Sequence, residues 1–338
     1  MFRVRPKRKF INSASLVAFL NSKYGRKEIE KYSMVGNQAN FSPAKFREIS
    51  IPIFSQILND NIEYITYSSF QKLEKSNSLY LSAEDILNKE LNITNVENSK
   101  NYSIKSLSES FVKSKRLDAE YYQDKYDKLF SLIKNEKRLS EIVTITKSVE
   151  PGSDKYKEDG IQFIRVSNLS KFGLSDTDIY LDRERFKTTI KPKKDTILFS
   201  KDGSIGIAYK VEKDIDAITS SALLHLTITT KDVLSDYLTL VLNSKIVQLQ
   251  AERDSGGSII EHWRLSEIEN VLIPILNLNI QSQITQKVQE SFKLRKQSKD
   301  LLNKAVKAVD IAIEKSEEDA IKWLKENTNE YFTNDKLK

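Results

Sequence analysis

"FLNSKYGRKEIEKYSMVGNQANFSPAKFREISIPI" (19–53) and "VLNSKIVQLQAERDSGGSIIEHWRLSEIENVLIPI" (241–275) align without a gap when the chain is slid along itself by 222 residues. Ile51-Pro52-Ile53 falls on Ile273-Pro274-Ile275, Phe41 on Trp263, Phe46 on Ile268 and Ile49 on Val271. The correspondence continues through Ile62 and Ile284, Ser69-Phe70 and Ser291-Phe292, Ala83 and Ala305. Upstream it sets Ser13 on Ser235 and Leu16 on Leu238. A period this long is no solenoid; it marks a duplicated unit of domain size.

Each copy carries the same order of signals. In the first, "FRVR" alternates like a strand and Leu16, Phe19, Leu20 and Tyr24 have helical spacing. "GNQANFSP" is a turn, and "FREISIPI" reads as a buried strand ending at Pro52. After each IPI comes a long helical pattern: Ile62, Ile65, Phe70, Leu73, Tyr80, Ile86 and Leu87 in one, Ile280, Ile284, Val288, Phe292, Leu302, Val306, Val309 and Ile313 in the other. No Gly or Pro interrupts the chain from Gln281 to Lys338. Spacings of three and four with charges between predict helices that seek a partner helix. Residues 92–110 are rich in Asn and Ser and read as a connector, followed by a short helix within 116–133. From 138 to 275 short apolar runs broken by Gly, Asp and Lys predict a twisted mixed sheet.

The chain is 338 residues long, enough for two domains with real cores, and its 30% charged content suits a soluble protein. No apolar run approaches a membrane span, and "MFRVRPKRKF" lacks the apolar stretch of a signal peptide. The absence of cysteine removes disulfides and thiolate metal sites and leaves the cytoplasm as the expected compartment. A net charge of +7 favours a polyanionic partner.

Little here supports catalysis. His225 and His262 are the only histidines; His225 lies in the apolar run "ALLHLTI", which suits a structural role. There is no phosphate-binding G-x-x-x-x-G-K-[ST] loop and no G-x-G-x-x-G, and a β-turn explains Gly203 and Gly206 in "DGSIG". No Asn-Pro-Pro-Tyr motif of adenine methyltransferases is found.

The order "LSEI", "FIRVSNL", "DTILFSKDGSIG", "SSALLHL", "LNSK", a Gly-Ser turn and "IPI" plus a long helix resembles the specificity subunit of type I restriction–modification systems. The likeness runs from Arg3 to about Leu324. It departs at Lys194-Asp195, where many members have Gly-Asp. The resemblance implies an α+β fold: mixed-sheet target-recognition domains joined to two long helices packed as an antiparallel coiled coil. The implied division is 1–53, the C-terminal remnant of a first recognition domain; 54–91, a first long helix; 92–137, linker and short helix. It continues with 138–275, a complete second recognition domain; 276–326, a second long helix; and 327–338, a tail. Residue 2 aligns with residue 224, so the first recognition domain is expected to be truncated at its N-terminus.

The implied function is non-catalytic: reading one half-site of a bipartite double-stranded DNA target and docking modification (methyltransferase) subunits, with restriction subunits beside them. The chain itself would need no cofactor; ATP, Mg and S-adenosylmethionine belong to the partner subunits. Self-association through the long helices is a further expectation. Phosphate contacts are expected from the basic stretch 183–201, notably Lys191, Lys193, Lys194 and Lys201. Base edges call for Arg or Lys with guanine and Asn or Gln with adenine, which points to Arg165 and Asn168. Ser204 at the hairpin tip and Ser258 after Gly256-Gly257 stand where the backbone could approach DNA, as do Asn37 and Gln38 in the first copy. For each, a turn or cap role is the simpler alternative. A helical protein-interaction adaptor that binds no DNA is the alternative for the whole chain, and salt-sensitive binding to duplex DNA separates the two.

Overall fold

The computed structural model describes residues 3–7, 10–33, 41–93, 102–255 and 262–329. The chain divides into two compact units, 1–78 with 290–338, and 79–289. Both long helices cross the division between the units. Among the described residues no helix is long and apolar enough to cross a membrane.

The first unit is helical. It contains α1 (Ser13–Asn21), α2 (Lys23–Tyr32), α3 (Pro43–Phe46), the first part of α4 (Gln56–Glu90), the last part of α10 (Leu278–Glu314), and α11 (Glu317–Asn327). Asn12, Ser22 and Ser42 cap α1, α2 and α3 by accepting from backbone N–H groups of the first turn. Leu16, Phe19, Leu58, Ile62 and Ile65 share a core with Leu301, Ala305, Val309, Ala320 and Leu324.

Two expectations fail in this unit. Residues 3–7 and 49–55 form no strand. In the second copy Leu272–Pro274 is a strand because Glu136–Arg138 pairs with it, and no described residue of the first unit offers such a partner. The helix expected over 276–326 is two helices. Ser316 accepts from the Asp319 N–H at 3.1 Å and starts α11, and Glu317, Glu318 and Asp319 complement the positive end of its dipole. A cap thus breaks the helix where no Gly or Pro does.

The second unit holds the sheets. Strands β2 (Val143–Lys147), β10 (Leu223–Ile228), β7 (Ile197–Ser200) and β8 (Ala208–Lys210) form an antiparallel sheet in the order β2-β10-β7-β8. A second sheet, β6-β3-β9, pairs β3 (Ile161–Ile164) antiparallel with β6 (Tyr180–Leu181) and parallel with β9 (Ala217–Thr219). Two small pairs complete the set: β1 (Glu136–Arg138) with β11 (Leu272–Pro274), and β4 (Leu169–Ser170) with β5 (Gly173–Leu174). Helices α5 (Asp124–Leu132) and α6 (Leu139–Ile142) precede the two larger sheets. Helices α7 (Ser235–Asn243), α8 (Lys245–Ser255) and α9 (Leu265–Glu269) follow them. The fold is α+β, as the resemblance implies, with one antiparallel and one mixed sheet.

The duplication is legible element by element. The starts of α7, α8, α9 and α10 each lie 222 residues beyond those of α1, α2, α3 and α4. Ser22 and Ser244, the residues between the first two helices of each copy, both donate Oγ–H at 2.6 Å to a carbonyl three residues back. Asn59 Nδ2 and Gln281 Nε2 both donate to a carbonyl five residues back, at 2.9 and 2.8 Å.

Helices α4 and α10 run antiparallel. Ser69 Oγ meets Ser298 Oγ at 2.9 Å and Ser76 Oγ meets Ser291 Oγ at 3.0 Å, so one helix ascends seven residues as the other descends seven. Counting a further heptad each way sets Ile62 opposite Ala305 and Ala83 opposite Ile284, all fully or almost fully buried. Phe70 on the expected stripe is instead 53% exposed, and Phe292, Leu302 and Val306 are only half-buried. Ser69, Ser76, Ser291 and Ser298, which lie off the apolar stripe, are buried in the seam.

Candidate nucleic-acid interface

The parallel pairing of β3 with β9, and the antiparallel pairing of β7 with β10, bring the carboxyl ends of β3, β7 and β9 together. The turn Ser220–Ala222 links them: Ser220 N–H donates to the Ile164 carbonyl and Lys201 N–H to the Ala222 carbonyl, both at 2.9 Å. Arg165, leaving β3, and the β7–β8 tip, residues 201–207, therefore flank one turn. Arg165 has an exposed side chain. Its orientation is set by a short helical turn, Val166–Asn168, in which Asn168 Oδ1 accepts from the Arg165 N–H at 3.0 Å. Asn168 Nδ2 donates to the Asp176 carbonyl at 2.9 Å, so this amide is occupied in shaping the turn.

The hairpin tip is braced from within. Ser200 Oγ donates to the Ser204 carbonyl at 2.6 Å and accepts from the Ile207 N–H at 2.9 Å. Gly206 has φ +76° and lies against Gln248, whose Nε2 donates to the Gly206 carbonyl at 2.7 Å. A Cβ there would meet Gln248 Nε2 at 2.7 Å, which explains the glycine. Beneath the tip, buried Trp263 packs on Phe199 with ring centroids 5.8 Å apart. Ser204 remains exposed at the end.

Lys201 is buried, its side chain 8% exposed and paired with Asp202. Asp202 also binds His262 Nδ1. Lys201, where a phosphate contact was expected, thus lies buried under the tip, and it is His262 that is exposed there, held through Nδ1 with Nε2 the remaining ring nitrogen. Lys147, at the end of β2, is exposed on the same side, as is Glu150, which accepts from Ser221 Oγ at 3.1 Å. Lys147 and His262 were not among the residues the sequence singled out. The register Leu224–Lys147 and the bridge Asp202–His262 bring them here, and neither pairing is visible in a linear reading.

Lys191, Lys193 and Lys194 lie elsewhere. They precede β7, at its amino end, with Asp195 N–H bonded to the Val211 carbonyl and Ile215 N–H to the Pro192 carbonyl. The candidate residues thus form two groups at opposite ends of the strands. The amino-end charges are also largely matched. Arg183 and Lys191 both bind Asp216 at 2.7 Å, Lys193 binds Asp214 at 3.0 Å, and Lys187 binds Glu184 at 3.4 Å. The two cations hold the Asp216 carboxyl down at about 2. Lys194 gives its backbone N–H to Asp214. Counting acids within 183–201 alone leaves out Asp214 and Asp216, which fold back onto it. Ser258, Asn37 and Gln38 lie outside the described residues.

His225 is structural. It is buried between strands, 2.8 Å from Thr219 Oγ1, and burial pushes its imidazole down to about 4.

These features define a class: a mixed-sheet module presenting an exposed turn and hairpin tip, joined to a paired-helix scaffold. The family model for the type I restriction modification DNA specificity domain matches residues 134–304, just over half of the chain and the whole of its sheet region. The chain belongs to that family, and it is a DNA-recognition subunit of a type I restriction–modification system. The S subunit of the type I system from M. genitalium is similar over 88% of this chain and 70% of that one, at 17% identity and a TM-score of 0.41. The HsdS subunit from Thermoanaerobacter tengcongensis covers 93% and 73%, at 13% identity and a TM-score of 0.36. No curated protein matches the chain.

Proposed function

We propose that the second unit reads one half-site of a bipartite duplex target with the carboxyl ends of β3, β7 and β9. Arg165 and His262 supply hydrogen bonds to base edges, Ser204 brings the hairpin tip to the groove, and Lys147 binds phosphate. Asn168 and Lys201 act indirectly, by fixing the turn and the tip. Lys191 and Lys193 tie their loop to Asp216 and Asp214, which leaves Lys194 as the phosphate contact of the amino end. Ser258, which follows Gly256-Gly257 in the sequence, is a further contact of this reading. The long helices dock modification subunits, and restriction subunits join that assembly in the cytoplasm. ATP, Mg and S-adenosylmethionine chemistry belongs to those partners.

The observation that carries this reading is the family match, which spans every strand of the sheets. The test is selection from a random duplex library by the chain assembled with its modification subunits. The expected result is enrichment of an interrupted motif, with Arg165→Ala relaxing one position of it. A library that emerges unenriched would leave the helical adaptor as the better reading.

A further inference from the structure

The positive charge of this chain is unevenly placed. Residues 1–48 hold 11 Lys and Arg against 3 Glu and no Asp, whereas the remaining residues hold 43 against 44. The whole excess of +7 therefore resides in the leading segment of the first unit, and not in the sheet unit that contains the base-reading candidates.

Part of that charge is gathered on one surface. Lys27 and Lys31 stand one turn apart on α2, where side chains four residues apart are neighbours, and Arg26 lies beside them. Lys45 comes from α3, and the Tyr32 ring brings it in: Lys31 Nζ and Lys45 Nζ lie 4.9 and 5.9 Å from the ring centroid. All four basic side chains are exposed. Arg26 donates to Asn21 Oδ1 at 2.5 Å, a neutral partner, with the exposed Glu30 four residues on along the same helix. Among the described residues none of the four is in a salt bridge, whereas Lys23 on the same helix is paired with Glu314. The contrast with the amino end of β7, where Asp214 and Asp216 take up three cations, is direct.

The face suits phosphate better than protein. Protein interfaces are anchored by aromatic and apolar side chains and depleted in Lys at their centres. None of the large exposed apolar side chains of the chain lies on α2 or α3. A phosphate backbone needs Lys and Arg that no ion pair holds, and here four such cations stand against Glu28 and Glu30 of the same helix.

Resting on the DNA-recognition reading, we propose that the α2–α3 face of the first unit is a sequence-independent contact for the DNA phosphate backbone, made by Arg26, Lys27, Lys31 and Lys45. It adds affinity without adding information, and it works on any duplex.

The test compares the full chain with the variant R26Q/K27Q/K31Q/K45Q and with a charge-matched control, K113Q/K115Q/K322Q/K325Q, whose lysines are exposed and lie outside the two long helices. Each is titrated with a random-sequence duplex between 50 and 200 mM salt. At about 0.9 units of log–log slope per phosphate contact, the variant is expected to lose three to four units of slope and the control less than one. Equal slopes for variant and control overturn the proposal while leaving the DNA-recognition reading intact. A wild-type chain that binds no duplex at any salt overturns both. A variant that keeps its slope but no longer assembles with modification subunits assigns the face to a protein partner and overturns the proposal. Circular dichroism checks folding. If the fourfold variant unfolds, R26Q/K27Q and K31Q/K45Q are each expected to lose about two units of slope, again at about 0.9 per contact, and unchanged slopes in both are equally fatal.

Discussion

Ser69 and Ser298 meet hydroxyl to hydroxyl at 2.9 Å in the buried seam of α4 and α10, and Ser69 also donates to the Ser298 carbonyl at 2.9 Å. The duplicated contact repeats the arrangement with roles exchanged: Ser291, the counterpart of Ser69, donates to the carbonyl of Ser76, the counterpart of Ser298, at 2.8 Å. Small hydroxyls let the helices approach closely, so added volume should be felt. Ser69→Leu is expected to destabilise by about 1–3 kcal/mol through overpacking, and Phe70→Leu one position along, at an exposed site, by less than about 0.5 kcal/mol. Denaturant titration of both variants checks the register; similar midpoints would contradict it.

The two copies of LNSK give a paired prediction. Asn243 clamps the edge of β8, accepting from the Ala208 N–H at 3.0 Å and donating to its carbonyl at 2.8 Å. Asn21, its counterpart, is exposed and donates to the Val17 carbonyl of its own helix at 2.9 Å. Asn243→Ala should cost about 1–3 kcal/mol by orphaning backbone groups, and Asn21→Ala under about 0.5 kcal/mol. Melting of the two variants side by side distinguishes them.

His225 sets a pH dependence. Its folded value of about 4 lies below the ordinary 6.5, so the folded state binds the proton less well than the unfolded chain. Stability is fully present above pH 6.5 and is lost as pH falls from there toward 4, by about 3 kcal/mol at most. His225→Gln should flatten that part of the stability profile; an unaltered slope between pH 6.5 and 4 would show that other groups cause it.

The two ends of the sheets should behave differently toward DNA. Arg165→Ala is expected to cost about 1–3 kcal/mol on the cognate site and little on other duplexes. Replacing Lys191, Lys193 and Lys194 with Ala should lower the salt slope by only about one unit, the share of Lys194, because phosphate would have to displace Asp214 and Asp216 from the others. A loss near three units would mean that the amino end faces DNA with its ion pairs opened.

The sequence makes some of this plain and hides the rest for specific reasons. The repeat, the two long helices and the β7–β8 hairpin are carried by local patterns, which a linear reading can follow. The seam departs from the apolar stripe at Phe70 and Phe292 because four of its buried positions are serines, which satisfy their hydroxyls across the helix pair and carry no hydrophobic signal. The strand expected at the first IPI needs a partner, and pairing is not a local property. Lys201 looks like a surface cation until it is buried and paired with Asp202. The basic stretch looks uncompensated until residues 214 and 216 return to it.

The serine contacts also act as a length standard. A slip of one heptad would leave a single Ser–Ser contact and set Ser76 against Ile284 and Ile62 against Ser298, or Ser69 against Ala305 and Ala83 against Ser291. A seam of aliphatic residues alone would tolerate such a slip far better, since each heptad then resembles the next. Seven residues of helix are about 10.5 Å, which is close to three base-pair steps of duplex at about 3.4 Å each. Two pairs of hydroxyls therefore hold the register of the scaffold to within one such step of about 10.5 Å.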